Sequence, residues 1–344
     1  MIFKRTLILS IIFFLIFSGI IKAEAMPEIS AQAYVLMDAK SGRILKSHNA
    51  NTKLPIASTT KIMTAILALE TIENLNQKIE VPPECCGIEG SSIYLQPKQS
   101  VSVIDLLYGT MLRSGNDAAA VLAKFAGRND SEGFIAMMNK KAKELGALNT
   151  NFVNASGLHD DNHYSTAYDL ALISAYAMKN DTFRKIAASE KYRAESMNNI
   201  FYNKNKVVYQ YKYGTGIKIG YTKAAGRCLV ASAEKDGTEI IAVLLNDNNW
   251  FNDAYKIFDW AFENYKTYSI VEKGQFVRYS PGKIPIFIDD GFRCALTDKE
   301  IGQIRFEADL EPVHMANDSE VRIWGTYNIY LGENKLHTGR LISK

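Results

Sequence analysis

An α/β fold with a small all-β domain appended is predicted by three features of this 344-residue sequence. β-prone runs stand at both ends of the stretch 33–245, and an alanine-rich block with helical periodicity fills its middle. After Ser269 the texture changes to short alternating runs broken by Pro281, Pro285 and Pro312. The economical arrangement is one antiparallel sheet made from both ends of the first domain, with the helical block inserted between them.

Residues 1–25 read as an export signal. Lys4 and Arg5 precede an almost unbroken apolar run from Thr6 to Ile21, and Ala23-Glu24-Ala25 supplies a small-x-small cleavage site. The alternative is an uncleaved anchor, for which the run is just long enough. The mature chain is then expected to begin near Met26, with a main domain at 26–266 and a β-rich one at 267–344. Loss of Lys4, Arg5, Lys22 and Glu24 lowers the formal charge from +3 to about +1, which leaves no electrostatic case for nucleic acid or an anionic membrane surface.

Ala33–Asp38 and Arg43–Lys46 are short β-prone runs around the turn residues Ala39-Lys40-Ser41-Gly42, an opening hairpin. The extended segment Leu54-Pro55-Ile56 leads into a helix predicted over Thr60–Ile72. Nearly every position there is apolar or small, so burial on most sides follows. Further helices are predicted at Asp117–Phe125, at Ser131–Leu145 with Asp130 as cap and Gly146 as stop, and at Ala167–Met178 capped by Thr166.

Strands follow at Gly216–Thr222, Arg227–Glu234 and Thr238–Leu245, the last two joined by Lys235-Asp236-Gly237. A closing helix, about Asn252–Lys266, carries Ala254, Ile257, Phe258, Ala261 and Phe262 at helical spacing. The tail holds alternating runs such as Val321–Leu331, and its end, Lys335–Lys344, is too short and too weakly amphipathic for a membrane-surface helix.

Cys85, Cys86, Cys228 and Cys294 lack metal-ligand spacing and are expected to be mostly free thiols in a packed interior. The histidines at 48, 159, 163, 314 and 337 form no ligand motif either. Neither a metal nor any other cofactor is expected.

Chemistry concentrates where the proline-stiffened segment meets the first helix. Ser58 and Lys61 stand one turn apart, on one face, at a helix start that favours developing negative charge. An amine stripped of its proton by its surroundings can accept the hydroxyl's proton. Ser-x-x-Lys recurs at Ser232 and Ser280, Ser-x-Asn at Ser47 and Ser196, and Lys-x-Gly at Lys40 and Lys235, so spacing alone decides little. Context decides more. Ser58-x-x-Lys61 opens a buried helix, Ser114-Gly115-Asn116 lies between helical segments, and Lys218-Ile219-Gly220 lies on a strand.

This set resembles the penicillin-recognising serine acyl-transferases, and within them the low-molecular-mass D-alanyl-D-alanine carboxypeptidases. The likeness extends to Tyr34–Gly42, Phe152–Leu158, Tyr164–Ala171, Asn203-Lys204-Asn205 and Gly216–Thr222, covering roughly 32–265. It implies a β-lactamase/DD-peptidase-like antiparallel sheet and a serine peptidase that trims peptidoglycan stem peptides and is acylated by β-lactams. Ser58 would be the nucleophile, Lys61 the proton acceptor, Ser114 the relay to the departing D-alanine, and Asn116 the holder of Lys61 and the substrate amide. Lys218 and Gly220 would line the carboxylate side, with the amides of Ser58 and Tyr221 as oxyanion donors.

Two positions depart from the family's pattern. Ile219 stands where a threonine usually binds the substrate's carboxylate, and Trp250 stands where a basic residue usually precedes the Phe of the last helix. Selection for a free carboxylate is therefore expected to relax while acylation survives. A β-lactamase and a non-catalytic cell-wall binder are the rival readings. Glu195-Ser196-Met197-Asn198-Asn199 distantly echoes the former's deacylating segment, but too far along the chain after Asn116.

Overall fold

The computed structural model describes residues 25–280, 282–315 and 322–343. All of the expected export signal except Ala25 lies outside them, as do Pro281 and Val321.

The chain opens with β1 (Ala33–Asp38) and β2 (Ile44–His48), paired antiparallel. The second strand starts one residue later than predicted because the Arg43 carbonyl closes the turn, accepting from Asp38 N at 2.9 Å. After the helical block come β3 (Gly214–Thr222), β4 (Gly226–Lys235) and β5 (Thr238–Leu245). The sheet order is β2-β1-β5-β4-β3, antiparallel throughout, so both ends of the segment do build one sheet. All eight residues of β5 are buried, and from Ile240 to Leu245 the strand reads as an unbroken apolar run. β3 forms one edge.

Alternation divides the sheet's side chains between two cores. Val35, Met37, Val230, Ile241 and Val243 face the helical block. Leu36, Leu229, Ala231, Ala242 and Leu244 face the last helix. Burial of each such aliphatic side chain stabilises the fold by about 1.5–3 kcal/mol, so both layers are firmly held.

The block begins with a 3₁₀ turn at Ala57–Thr60 that runs into α1 (Lys61–Thr71). Lys61 through Ala68 are all buried, as the apolar run requires. Next come α2 (Val103–Tyr108), continued by a π turn at Gly109–Arg113, and α3 (Asn116–Ala126). The block continues with α4 (Ser131–Glu144), α5 (Ala167–Ala177) and α6 (Asp181–Ala188), and a single helical turn at Val207–Gln210 precedes the next strand of the sheet. Thr166 caps α5 as expected, accepting from Asp169 N at 3.0 Å. Asp130 sits at the N-cap of α4 but makes no side-chain capping bond. α6 escapes prediction because eight residues give only two turns of periodicity, although Phe183, Ile186 and Ala187 form a buried face.

α7 (Trp250–Asn264) begins and ends two residues before its predicted bounds, because Tyr265 is extended and Lys266 already belongs to a strand. The C-terminal β domain then supplies β6 (Lys266–Val271), β7 (Phe276–Tyr279), β8 (Pro285–Ile288), β9 (Phe292–Leu296), β10 (Ile304–Met315), β11 (Arg322–Leu331) and β12 (Asn334–Ser343). β6 pairs with β9, and the others form a sheet in the order β7-β8-β12-β11-β10 over a third apolar cluster. Cys85, Cys228 and Cys294 are buried free thiols, and Cys86 is a half-buried one. Among the described residues no helix is long and apolar enough to cross a membrane, and no group of three or more His, Cys, Asp or Glu could hold a metal ion.

Candidate active site

Ser58 is half-buried in the 3₁₀ turn ahead of α1. The hydroxyls of Thr59 and Thr60 donate back to the carbonyls of Ile56 and Ala57 at 2.7 and 2.8 Å, which fixes the turn, and Ala57 itself has φ +47°. A neighbouring loop presses on it so closely that a Cβ on Gly157 would lie 1.9 Å from the Ala57 carbonyl oxygen. Gly157 has φ +82°, so only glycine serves there.

Lys61 is fully buried. Its Nζ reaches Ser58 Oγ at 3.0 Å, Asn116 Oδ1 at 2.7 Å and the Ser156 carbonyl at 2.5 Å. These partners differ in kind. The two carbonyl oxygens only accept, whereas the hydroxyl can accept or donate. A neutral amine therefore keeps its two hydrogens on Asn116 and Ser156 and turns its lone pair to the Ser58 O–H. Burial pushes Lys61 well below its ordinary value of 10.5, the positive charge of Lys218 pushes the same way, and Asp117 opposes them.

Asn116 is the first residue of α3. Its Nδ2 donates to the Glu89 carbonyl at 2.5 Å while Oδ1 accepts from Lys61, which fixes the amide's orientation and leaves one N–H for a ligand. Asp117 holds the facing loop by accepting from the amides of Ile93 and Leu95 at 3.1 Å and from Ser92 Oγ at 2.5 Å.

Ser114 ends the π turn at φ +62° and accepts from Lys218 Nζ at 3.0 Å. Lys218 is buried on β3 and also donates to the Ile219 carbonyl at 3.0 Å. Burial, aided by the charge of Lys204, lowers Lys218 to about 7. Gly220 lets the strand edge approach the turn: a Cβ there would stand 2.8 Å from Ser58 N. Tyr221 follows with its side chain exposed.

The predicted residues thus converge on one cleft, Ser58, Lys61 and Asn116 as one hydrogen-bonded group and Ser114 with Lys218 as another. Beside Asn116 and Ser156 opens a mostly apolar pocket of about 290 Å³ walled by Ile88, Ala120, Val153 and Leu158. Sequence reasoning missed the Ser156 carbonyl, Asp117 and Lys204. A backbone carbonyl leaves no residue-type signature, although the turn residue Asn154, whose Oδ1 accepts from the amides of Ser156 and Gly157, was a visible cue.

The sequence profile of the D-alanyl-D-alanine carboxypeptidase family, peptidase S11, matches residues 20–249. The chain belongs to that family. It is 35% identical to D-alanyl-D-alanine carboxypeptidase DacF of Bacillus subtilis over 72% of this chain and 66% of that protein. It is also 35% identical to D-alanyl-D-alanine carboxypeptidase DacC of Escherichia coli over 70% of this chain and 63% of the relative. The chain thus spans just under two thirds of the length of these two relatives. Penicillin binding protein 5 of Haemophilus influenzae superposes with a TM-score of 0.79 at 25% identity, covering 93% of this chain and 100% of that one.

The segment that distantly echoes a β-lactamase, Glu195–Asn199, has a structural role in this family member. Ser196 donates from N and Oγ to the Asp105 carboxylate of α2 at 2.8 and 2.5 Å, and Glu195 pairs with Arg193 at 3.1 Å.

Proposed function

We propose that this chain is an exported serine D,D-carboxypeptidase that removes the terminal D-alanine from peptidoglycan stem peptides, and that β-lactams acylate it at the same serine. The observation that carries this reading is the environment of Lys61: buried, facing two obligate acceptors, with its remaining valence aimed at Ser58 Oγ.

Ser58 Oγ attacks the carbonyl of the last peptide bond as its proton passes to Lys61 Nζ. The developing oxyanion is held by the backbone N–H groups of Ser58 and Tyr221, an arrangement in which each donor is worth about 3 kcal/mol. Ser114 carries a proton to the nitrogen of the departing D-alanine, and Lys218 supplies positive potential beside it. Asn116 holds the amine and offers its remaining N–H to the substrate's amide. Water then hydrolyses the ester. The apolar leader at residues 6–21 supports export.

Benzylpenicillin labelling followed by intact-mass measurement tests the reading, together with release of D-alanine from a D-Ala-D-Ala peptide. The wild type should gain one penicilloyl mass and release D-alanine, and Ser58→Ala should do neither. A stable adduct without D-alanine release would favour the binding protein, and rapid loss of the adduct would favour a β-lactamase.

A further inference from the structure

The formal charge of the chain is only +3, yet positive charge gathers at one place far from Ser58. Where the first domain meets the C-terminal β domain, a cleft of about 750 Å³ opens. Lys40 and Ser41 of the β1–β2 turn wall it together with Lys179, just after α5, and with Lys273, Arg293 and His337 of the β domain. Among the described residues of its walls, Glu272 alone carries a carboxylate. Gly220, beside Ser58 N, faces Cys228, whose neighbour Leu229 faces Leu244, whereas the β1–β2 turn follows Asp38, which faces Ile240. Cleft and Ser58 therefore stand at opposite ends of the sheet.

The four cations of this cleft are not neutralised. Lys40 Nζ donates to the Gly237 carbonyl at 2.8 Å, and Lys179, Lys273 and Arg293 make no ion pair among the described residues. Arginines close by are paired instead, Arg43 with Glu300 and Arg184 with Glu239 at 2.7 Å. Unpaired cations on concave walls repel one another and focus their field on whatever enters. The walls are also fixed. Across the junction Asp38 accepts from Ala295 N at 2.9 Å, and Arg43 donates to the Ala295 carbonyl at 2.7 Å. Inside the β domain the His337 ring lies stacked on Phe292 with centres 4.5 Å apart, and Tyr327 Oη, 3.2 Å from His337 Nε2, donates to the Asp290 carbonyl.

We propose that this cleft between the domains is a second binding site, for a ligand bearing two linked or adjacent phosphates. The Arg293 fork matches the oxygens of a phosphate bidentately, and the lysines add point charges that need no fixed geometry. Paired phosphates bring several charges within a few ångströms of one another, which cations on facing walls can meet together, whereas a lone carboxylate offers one. The volume lies in the range of roughly 300–1,000 Å³ usual for small-molecule sites, more than a bare ion needs. A soluble diphosphate compound and neighbouring lipid headgroups both supply the chemistry. The site is independent of the activity proposed at Ser58.

The test is calorimetric titration of the purified protein with inorganic pyrophosphate at low ionic strength, beside co-sedimentation with vesicles of phosphatidylcholine and phosphatidylglycerol. Pyrophosphate should bind saturably, and Lys179→Ala/Arg293→Ala should weaken it roughly tenfold or more. Lys98→Ala/Lys143→Ala removes the same charge from exposed positions outside the cleft and should leave the affinity within about twofold of wild type. Both variants should keep the wild-type melting temperature within a few degrees, so that a weakened affinity reports on the cleft. Vesicle binding that pyrophosphate displaces would assign the phosphates to lipid headgroups, and pyrophosphate binding without vesicle binding would assign them to a soluble ligand. No saturable binding of either probe, or an equal loss in the two double variants, would overturn the inference.

Discussion

Lys61 shows how much of the chemistry depends on one side chain's surroundings. Its type and its three-residue spacing from Ser58 were readable in the sequence, and so was the need to lower its proton affinity. What set the direction of proton transfer was not readable. Asn116, 55 residues away, was expected to hold Lys61 only through the family resemblance, and the second acceptor, the Ser156 carbonyl 95 residues away, leaves no mark in the sequence. Arginine at this position keeps a cation but cannot release its proton. Lys61→Arg should therefore lower the acylation rate about 10²–10⁴-fold, as loss of a general base does. Stopped-flow acylation with a chromogenic cephalosporin measures this, and a rate within threefold of wild type would remove Lys61 from the role of base.

At the scale of elements, two close approaches shape the cleft: the loop carrying Gly157 against the 3₁₀ turn, and the edge strand β3 against Ser58. Gly220→Ala puts a methyl group 2.8 Å from Ser58 N, so turn and strand must separate. Misplacing one oxyanion donor costs about 10²–10³ in rate. The expected result is a loss of that size in acylation, with a melting temperature changed by only a few degrees. A variant as fast as wild type would show that the gap is not needed. The long, strongly patterned elements were legible: α1, the meander β3–β5, and α5 with its Thr166 cap. Short ones were not, since α6 and the ribbons at 78–80 with 100–102 and 191–194 with 199–202 carry too few residues to establish a period.

Across the whole molecule, the first hairpin holds the C-terminal strands in place. The Asp38 carboxylate accepts from Ala295 N at 2.9 Å, and Arg43 donates to the Ala295 carbonyl at 2.7 Å while pairing with Glu300. That junction and the order β7-β8-β12-β11-β10 were beyond sequence reading, because long-range register is fixed by pairings that leave no local pattern. The buried lysines also leave a global mark. Lys218 loses its proton near pH 7 when folded but holds it to its ordinary value of 10.5 when unfolded. Between those values the unfolded chain carries the extra proton, so stability rises with pH, and Lys61 acts in the same direction. From pH 7 to 9 the Lys218 contribution is about 2–3 kcal/mol. Denaturant unfolding at several pH values should give a smaller upward slope for Lys218→Met than for wild type. Equal slopes would mean that Lys218 keeps its proton in the folded protein.

The most direct examination of the proton-transfer scheme is the pH dependence of Ser58 acylation by benzylpenicillin under single-turnover conditions. With Lys61 as a neutral base, the rate should rise to a plateau through an apparent pKa well below 10.5. A rate still climbing toward pH 10.5, as an unperturbed lysine would give, would contradict the account.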